Sequence, residues 1–145
     1  MSSSPKVTYV DKSDAAIERL KDLLKPRLEA AALVVRDEIV TTINDSDPTG
    51  RTYRIPGTGA TYRASAPGEP PAIREGLYVS SWHGTPAVEL GNAVMAAAFT
   101  NRRVGAHSLG ELLEYGTKRG LAPRPHVRPA MTKAKPKVKR ILRTG

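Results

Sequence analysis

The side chains best suited to proton transfer or metal binding near neutral pH are three histidines, His83, His107 and His126, spaced 24 and 19 residues apart. The chain has no cysteine, no His-x-His and no His-Glu-x-x-His arrangement, so the compact ligand spacings of a zinc site are missing. An enzyme made from these residues would need the fold to gather distant groups such as His83, Glu111 and His126 into one pocket. Asp45-Ser46-Asp47-Pro48-Thr49-Gly50 opens like a calcium loop, with acids at positions one and three and glycine at six. Its twelfth position, where a bidentate glutamate belongs, is Pro56, and the segment reads better as a helix stop and turn. Gly57-Thr58-Gly59 has no third glycine and no preceding strand, so it is not a dinucleotide loop. The expectation is a non-enzymatic protein that needs no metal and no cofactor.

What remains is charge. The net charge of +9 is placed unevenly: residues 1–117 hold 13 Lys/Arg and all 14 acids, whereas residues 118–145 hold ten Lys/Arg and no acid. A near-neutral body thus carries a basic end, which suits a polyanion or an acidic surface. Lys133, Lys135, Lys137, Lys139, Arg140 and Arg143 are the cations that could neutralise phosphates, with sequence-blind and salt-dependent affinity. The plainer reading is a solvated tail that aids solubility. On an extended segment the four lysines line one side; on a helix they scatter around it. Upstream, Arg51, Tyr53, Arg54, Tyr62 and Arg63 interleave rings with cations as single-strand grooves do, although two tyrosines also serve as packing anchors.

The elements that position these groups follow from periodicity. Ser13 is the expected N-cap of a helix whose apolar residues fall at Ile17, Leu20, Leu24, Leu28, Ala31, Val35, Ile39 and Ile43. Glu18, Arg19, Lys25, Glu29, Arg36 and Asp37 take the opposite face. Pro26 removes a donor and clashes with the preceding turn, so the helix is expected to kink there and to end near Asn44. Residues 1–12 read as a flexible lead-in with a short strand over Val7 to Val10. Residues 45–75 form a long Gly/Pro/Thr-rich connection.

Three strand-like runs follow, Leu77–His83, Ala87–Leu90 and Ala93–Phe99, which suggest an antiparallel meander, the alanine-rich third also being compatible with a helix. Ser108 and Gly116 bracket a short helix over Leu109 to Tyr115. Residues 118–130 are Pro-punctuated and extended, and 131–143 could form a short basic helix broken or started at Pro136. The expected fold class is α+β: a long kinked N-terminal helix on a small antiparallel sheet, a short second helix, an extended Pro-rich arm and a basic C-terminal tail. One domain over residues 13–132 and a tail over 133–145 are expected. No run approaches a membrane span and the N-terminus has no apolar signal region, so a soluble protein without membrane partners is expected.

Arg63-Ala64-Ser65-Ala66-Pro67-Gly68-Glu69-Pro70-Pro71-Ala72 is the most constrained stretch. Pro67, Pro70 and Pro71 each fix φ near −65° and push the preceding residue toward extended geometry. The stretch reads either as a surface loop or as a stiff arm able to reach a neighbour, with Glu69 pairing an arginine of that neighbour.

Around it lie Gly50-Arg51-Thr52-Tyr53, Gly76-Leu77 with Ser80-Ser81, Glu111-Leu112-Leu113-Glu114-Tyr115-Gly116-Thr117, and Arg124-Pro125 followed by Arg128-Pro129-Ala130. In this order the chain, over roughly residues 13–132, resembles the neck proteins of long-tailed phages, the head–tail joining or tail-completion proteins. That family commonly carries an aromatic residue after the Arg-Pro pair, where this chain has His126. The resemblance implies a ring, a hexamer, at the head–tail junction of the virion, assembled in the host cytoplasm. Its partners would be further copies of itself, the head-side connector or stopper proteins, and the tail terminator or tail-tube protein, with double-stranded DNA passing through the lumen. It further implies a subunit-bridging role for Arg63, Ser65, Pro67, Gly68, Glu69, Pro70 and Pro71, and a structural corner at Glu114, Gly116 and Thr117. The basic end would face DNA or an acidic ring partner. The competing class is a free nucleic-acid-binding protein acting through its tail, a monomer or dimer that loses affinity on truncation near Thr132.

Overall fold

The structure, a computed structural model, describes residues 8–143; Val7, and with it the start of the expected first strand, lies outside them, and Thr8 to Val10 form no strand. Helix α1 runs unbroken over Ser13–Asn44 with Pro26 inside it. Pro26 is exposed, so its ring points away from the packed face and the apolar stripe keeps its phase across it. Ser13 is the first helical residue and not the cap: Lys12 holds that place without a side-chain bond, and the Asp11 carboxylate accepts the Ser13 N–H at 2.9 Å.

The core sits on the second half of α1. Ile39 and Ile43 are almost fully buried against Trp82 and Ala130, with Val35, Val40, Tyr78, Val79, Ala98 and Val127 around them. One long apolar helix can bury its stripe only if other elements return to it. Two do so here.

The first is a two-stranded ribbon that follows a short 3₁₀ turn over Val79–Ser81. Numbering the strands in chain order, β3 (Trp82–Gly84) pairs antiparallel with β6 (Ala98–Thr100), and β4 (Val88–Leu90) pairs with β5 (Ala93–Met95). Between these ladders Thr85, Pro86 and Ala87 face only Ala96 and Ala97, so the ribbon carries an extra residue on its first arm. Pro86 occupies that irregular stretch, where no ladder donor is demanded. Gly91 (φ 58°) supplies the left-handed turn position between β4 and β5. The expected meander is therefore corrected: the third run folds back to pair with the first, and it is strand over Ala93–Met95 and Ala98–Thr100 and not helix. The first run becomes strand only from Trp82, Leu77 to Ser81 being turn and 3₁₀ helix. The polar face of α1 also does more than meet water, since Arg36 Nε donates to the Trp82 carbonyl (3.0 Å) and Glu29 accepts the Ala87 N–H (2.8 Å).

The second is helix α3, Val127–Arg143, whose buried Ala130 and Ala134 let it lie close along α1. Pro136 is exposed within it and Pro129 sits in its first turn, where a missing N–H costs little. Two expectations change. Residues 127–130 are helical and not extended, and the expected 132/133 boundary falls inside one helix packed on the body.

Smaller pieces complete the chain. β1 (Thr52–Arg54) and β2 (Thr61–Arg63) form a hairpin within the long connection, and β7 (Arg103–Val104) with β8 (His107–Ser108) form another. Helix α2 spans Leu109–Tyr115 and ends at Gly116. The mixed fold of long helix, second helix near the C-terminus and small antiparallel sheets is thus clear. The arm, however, does not project: Ser65 and Pro71 are buried and the segment folds against its own chain.

Candidate functional site

The start of α3 is held by a carboxylate from another helix. Four N–H groups at a helix N-terminus lack partners, and residues 123–126 here offer no Ser, Thr, Asp or Asn to cap them. Glu114 on α2, 3% exposed, supplies the missing acceptor. Its Oε2 accepts the backbone N–H of His126 (2.8 Å) and Val127 (2.9 Å), and its Oε1 accepts that of Arg128 (3.0 Å). Arg128 Nε adds a bond at 3.3 Å, while its guanidinium lies over the Tyr115 ring. Burial alone would raise the Glu114 pKa, but these N–H groups outweigh it and hold the carboxyl below its usual range.

His126, fully buried, is the second half of this junction. Its Nδ1 faces two acceptors, the Arg124 carbonyl at 2.8 Å and Glu114 Oε2 at 3.2 Å, so Nδ1 carries the proton. Nε2 then accepts from the Tyr78 hydroxyl at 2.6 Å. Tyr78, Trp82 and His126 meet edge-to-face, with ring centroids 5.6–6.1 Å apart, so His126 fills an aromatic slot. Burial lowers the His126 pKa and raises that of Tyr78. A Tyr–His–carboxylate chain could in principle relay a proton. Here the hydroxyl is made harder to ionise and the imidazole harder to protonate, the reverse of an activated nucleophile.

Gly116 and Thr117 turn the chain between the two helices. At φ 70° a side chain on Gly116 is strained, and its Cβ would stand 2.9 Å from the Pro123 nitrogen. Thr117 N–H donates to the Leu121 carbonyl (2.8 Å), its hydroxyl accepts the Leu121 N–H (3.2 Å), and Arg124 N–H returns to the Leu113 carbonyl. Glu114, Gly116 and Thr117 therefore meet at one corner, which places the first residue of α3.

The Pro-rich segment docks on the same corner. Arg124 Nε donates to Ser65 Oγ (2.8 Å), and Gly68 N–H donates to the Pro123 carbonyl (3.0 Å). Ala66 to Glu69 form a tight turn closed by Glu69 N–H on the Ala66 carbonyl, with Gly68 at φ 85°. Glu69 accepts the Thr49 hydroxyl, the Thr49 N–H (3.0 Å) and the Ala66 N–H (2.7 Å); the Thr49 hydroxyl leads in lowering its pKa. Its carboxylate is thus held by groups of its own chain. Arg63 lies in β2 and donates to the Gly50 carbonyl (3.1 Å). Pro70 is half-buried and Pro71 buried, which leaves Pro67 and Gly68 as the exposed tip.

The basic residues spread over the arc of α3 that its packed stripe leaves free. Val127, Ala130, Ala134, Val138 and Ile141 recur at three and four residues and are all buried or half-buried, while Lys133, Lys135, Lys139, Arg140 and Arg143 are exposed. Lys137 borders the packed face and pairs with Glu38 of α1.

Elsewhere, Tyr53 and Tyr62 stack on each other across the β1–β2 hairpin (5.8 Å), with Arg51 and Arg74 over their rings. They act on each other as packing anchors. His83 packs against Phe99 and His107 lies in β8, apart from His126. Among the described residues no group of three His, Asp or Glu could hold a metal ion. No described helix is long and apolar enough to cross a membrane. The sequence showed Tyr78 only within a strand-like run and Arg124 only as half of an Arg-Pro pair, and neither pattern signals its partner; only an uncapped helix start hinted that a distant acid was needed. Compared with protein-family models, with characterised proteins and with solved structures, the chain matches none.

Proposed function

We propose that this chain is a structural, ring-forming subunit of a phage neck, a hexamer that joins the head connector to the tail and lets DNA pass. The ordered motifs from Gly50 to Ala130 support the family reading, and one structural observation supports assembly. The fold leaves more large apolar side chains outside than inside: Ile17, Leu20, Leu23 and Leu33 on α1 and Val88, Leu90 and Met95 on the ribbon are all at least 42% exposed. One set lies on α1 and the other on the β4–β5 ribbon, and large exposed apolar surface marks sites of association. Two such sets on one subunit suit the head-to-tail contacts of a cyclic ring. The preformed turn at Pro67 and Gly68 is the part of the Pro-rich segment that a neighbour can reach. The ring would sit in the virion, with head-side and tail-side proteins above and below it.

Native mass spectrometry of the full chain, alone and with connector and tail-tube proteins, tests this. A closed ring that is lost in Leu20→Glu/Leu23→Glu supports it. A chain that stays monomeric with every such partner overturns it.

A further inference from the structure

We propose that the outer face of α3 is a docking surface for the phosphate backbone of double-stranded DNA. Helix α3 cannot turn this face away, because its small and aliphatic side, Val127, Ala130, Ala134 and Val138, is packed toward α1 and its first turn is capped by Glu114. Lys135, Lys139 and Arg143, at i, i+4 and i+8, therefore form a fixed ridge on the solvent side, with Lys133 on the helix's other flank. Among the described residues, no carboxylate comes within ion-pair distance of these four cations. The acids that face α3 are committed elsewhere, Glu38 to Lys137 and Glu114 to the helix start and Arg128. No acid follows Glu114 in the chain, so nothing on the helix offsets the array.

The partner follows from what accompanies the charge. Helix α3 has 17 residues, about 25 Å at 1.5 Å per residue, which spans about seven phosphates of one duplex strand. Helix α3 itself carries no Phe, Trp or Tyr, and the ring beside its first turn, Tyr115, already stacks with Arg128, so single-stranded bases would find no row of rings along the cations. An interfacial membrane helix needs its apolar side free to enter the lipid, and here that side is packed on α1. A rigid, acid-free cationic face without stacking rings fits a backbone of regular charge that is read without sequence. That α3 lines the lumen of a ring rests on the assembly proposed above; the docking surface itself stands on the helix.

The test is fluorescence anisotropy of a labelled duplex of arbitrary sequence, with full-length protein between about 50 and 200 mM salt. Wild type is expected to bind with affinity that falls steeply with salt and is the same for an unrelated sequence. Lys133→Ala/Lys135→Ala/Lys139→Ala should flatten the log–log salt slope by about 3, at about 0.9 per phosphate contact. Arg51→Ala/Arg54→Ala/Arg74→Ala should leave the slope unchanged, and alanine on α3 preserves the helix, which circular dichroism checks. A triple lysine variant with the wild-type slope, or a wild type that binds phosphatidylserine vesicles but not the duplex, overturns the proposal. Native mass spectrometry of the same samples separates the two ideas: DNA binding without any ring refutes the lumen position and not the surface, whereas a ring blind to DNA refutes the surface.

Discussion

Helix α1 carries one apolar stripe with two fates. In its second half Ala31, Ile39 and Ile43 are 6% exposed or less, while in its first half Ile17, Leu20 and Leu24 are 37–58% exposed. The helix and its period are the same; what differs is which elements come back to cover it. Core packing by α3, β3 and β6 reaches only the second half, and the first half is tied to the ribbon by the ion pairs of Lys21 and Lys25 with Glu89. Periodicity thus tells which face of a helix seeks burial and not whether the same chain supplies the cover. The covered half belongs to the core; the uncovered half is the part for which a neighbouring subunit is proposed above.

The sharpest way to break this comparison is to shorten one side chain in each half. Ile39→Ala removes a residue that is 1% exposed and should cost about 3 kcal/mol, since the cavity left on α3 and Trp82 cannot collapse fully. Leu20→Ala, at 58% exposed, should stay within about 0.5 kcal/mol in the isolated chain. Urea unfolding of the two variants measures both. Equal losses would mean that the first half is covered in solution.

Next in size is the junction that seats α3 on the covered half. Glu114→Gln keeps the shape but removes the charge that three N–H groups share, and should cost about 2 kcal/mol in the same assay. Acid should weaken the same junction in two steps. His126 titrates below its ordinary 6.5 in the fold, so the unfolded chain takes up a proton first and stability falls as pH drops from 6.5 through the folded value. Glu114 titrates below its ordinary 4.5, so its contribution is full above 4.5 and is lost as pH falls through its folded value. His126→Phe should remove the upper step and leave the lower one, as read from unfolding free energies from pH about 7 down to about 2. A variant with the wild-type profile would place that titration elsewhere.

How much of this was legible in the sequence depends on the range of the interaction involved. The α1 stripe and the Leu109–Tyr115 helix follow from local period and end signals, and both stand in the structure. The ribbon was missed as a topology because Ala93–Phe99 gives no sign of whether it pairs with β4 alone or also with Trp82–Gly84. The arm's prolines announced stiffness, but the direction of the chain is set by Arg124 on Ser65 and by Thr49 on Glu69, contacts across 59 and 20 residues. The lysines of residues 133–139 alternate as on an extended strand, yet Ala130, Ala134 and Val138 impose the helical phase once α1 is there to receive them. Glu114 was marked as part of a corner, whereas its role as the cap of α3 needed coordinates.

The smallest effect concerns how the uncovered half of α1 is held. Glu89 on the ribbon faces Lys21 (3.5 Å) and Lys25 (2.6 Å), while these lysines also meet Glu18 and Asp22 along the helix. Exposed ion pairs of this kind add little to global stability and are screened by salt. Glu89→Gln should therefore leave the unfolding midpoint where it is. It should instead loosen one end of the molecule: amide exchange of the first turns of α1 should quicken while that of residues 31–43 stays at the wild-type rate, because the latter open only with the core. Exchange read by mass spectrometry on peptides from each half decides it. Uniform quickening would tie Glu89 to the core and make α1 one cooperative unit; quickening confined to the first half would mark where the cooperative core ends along α1.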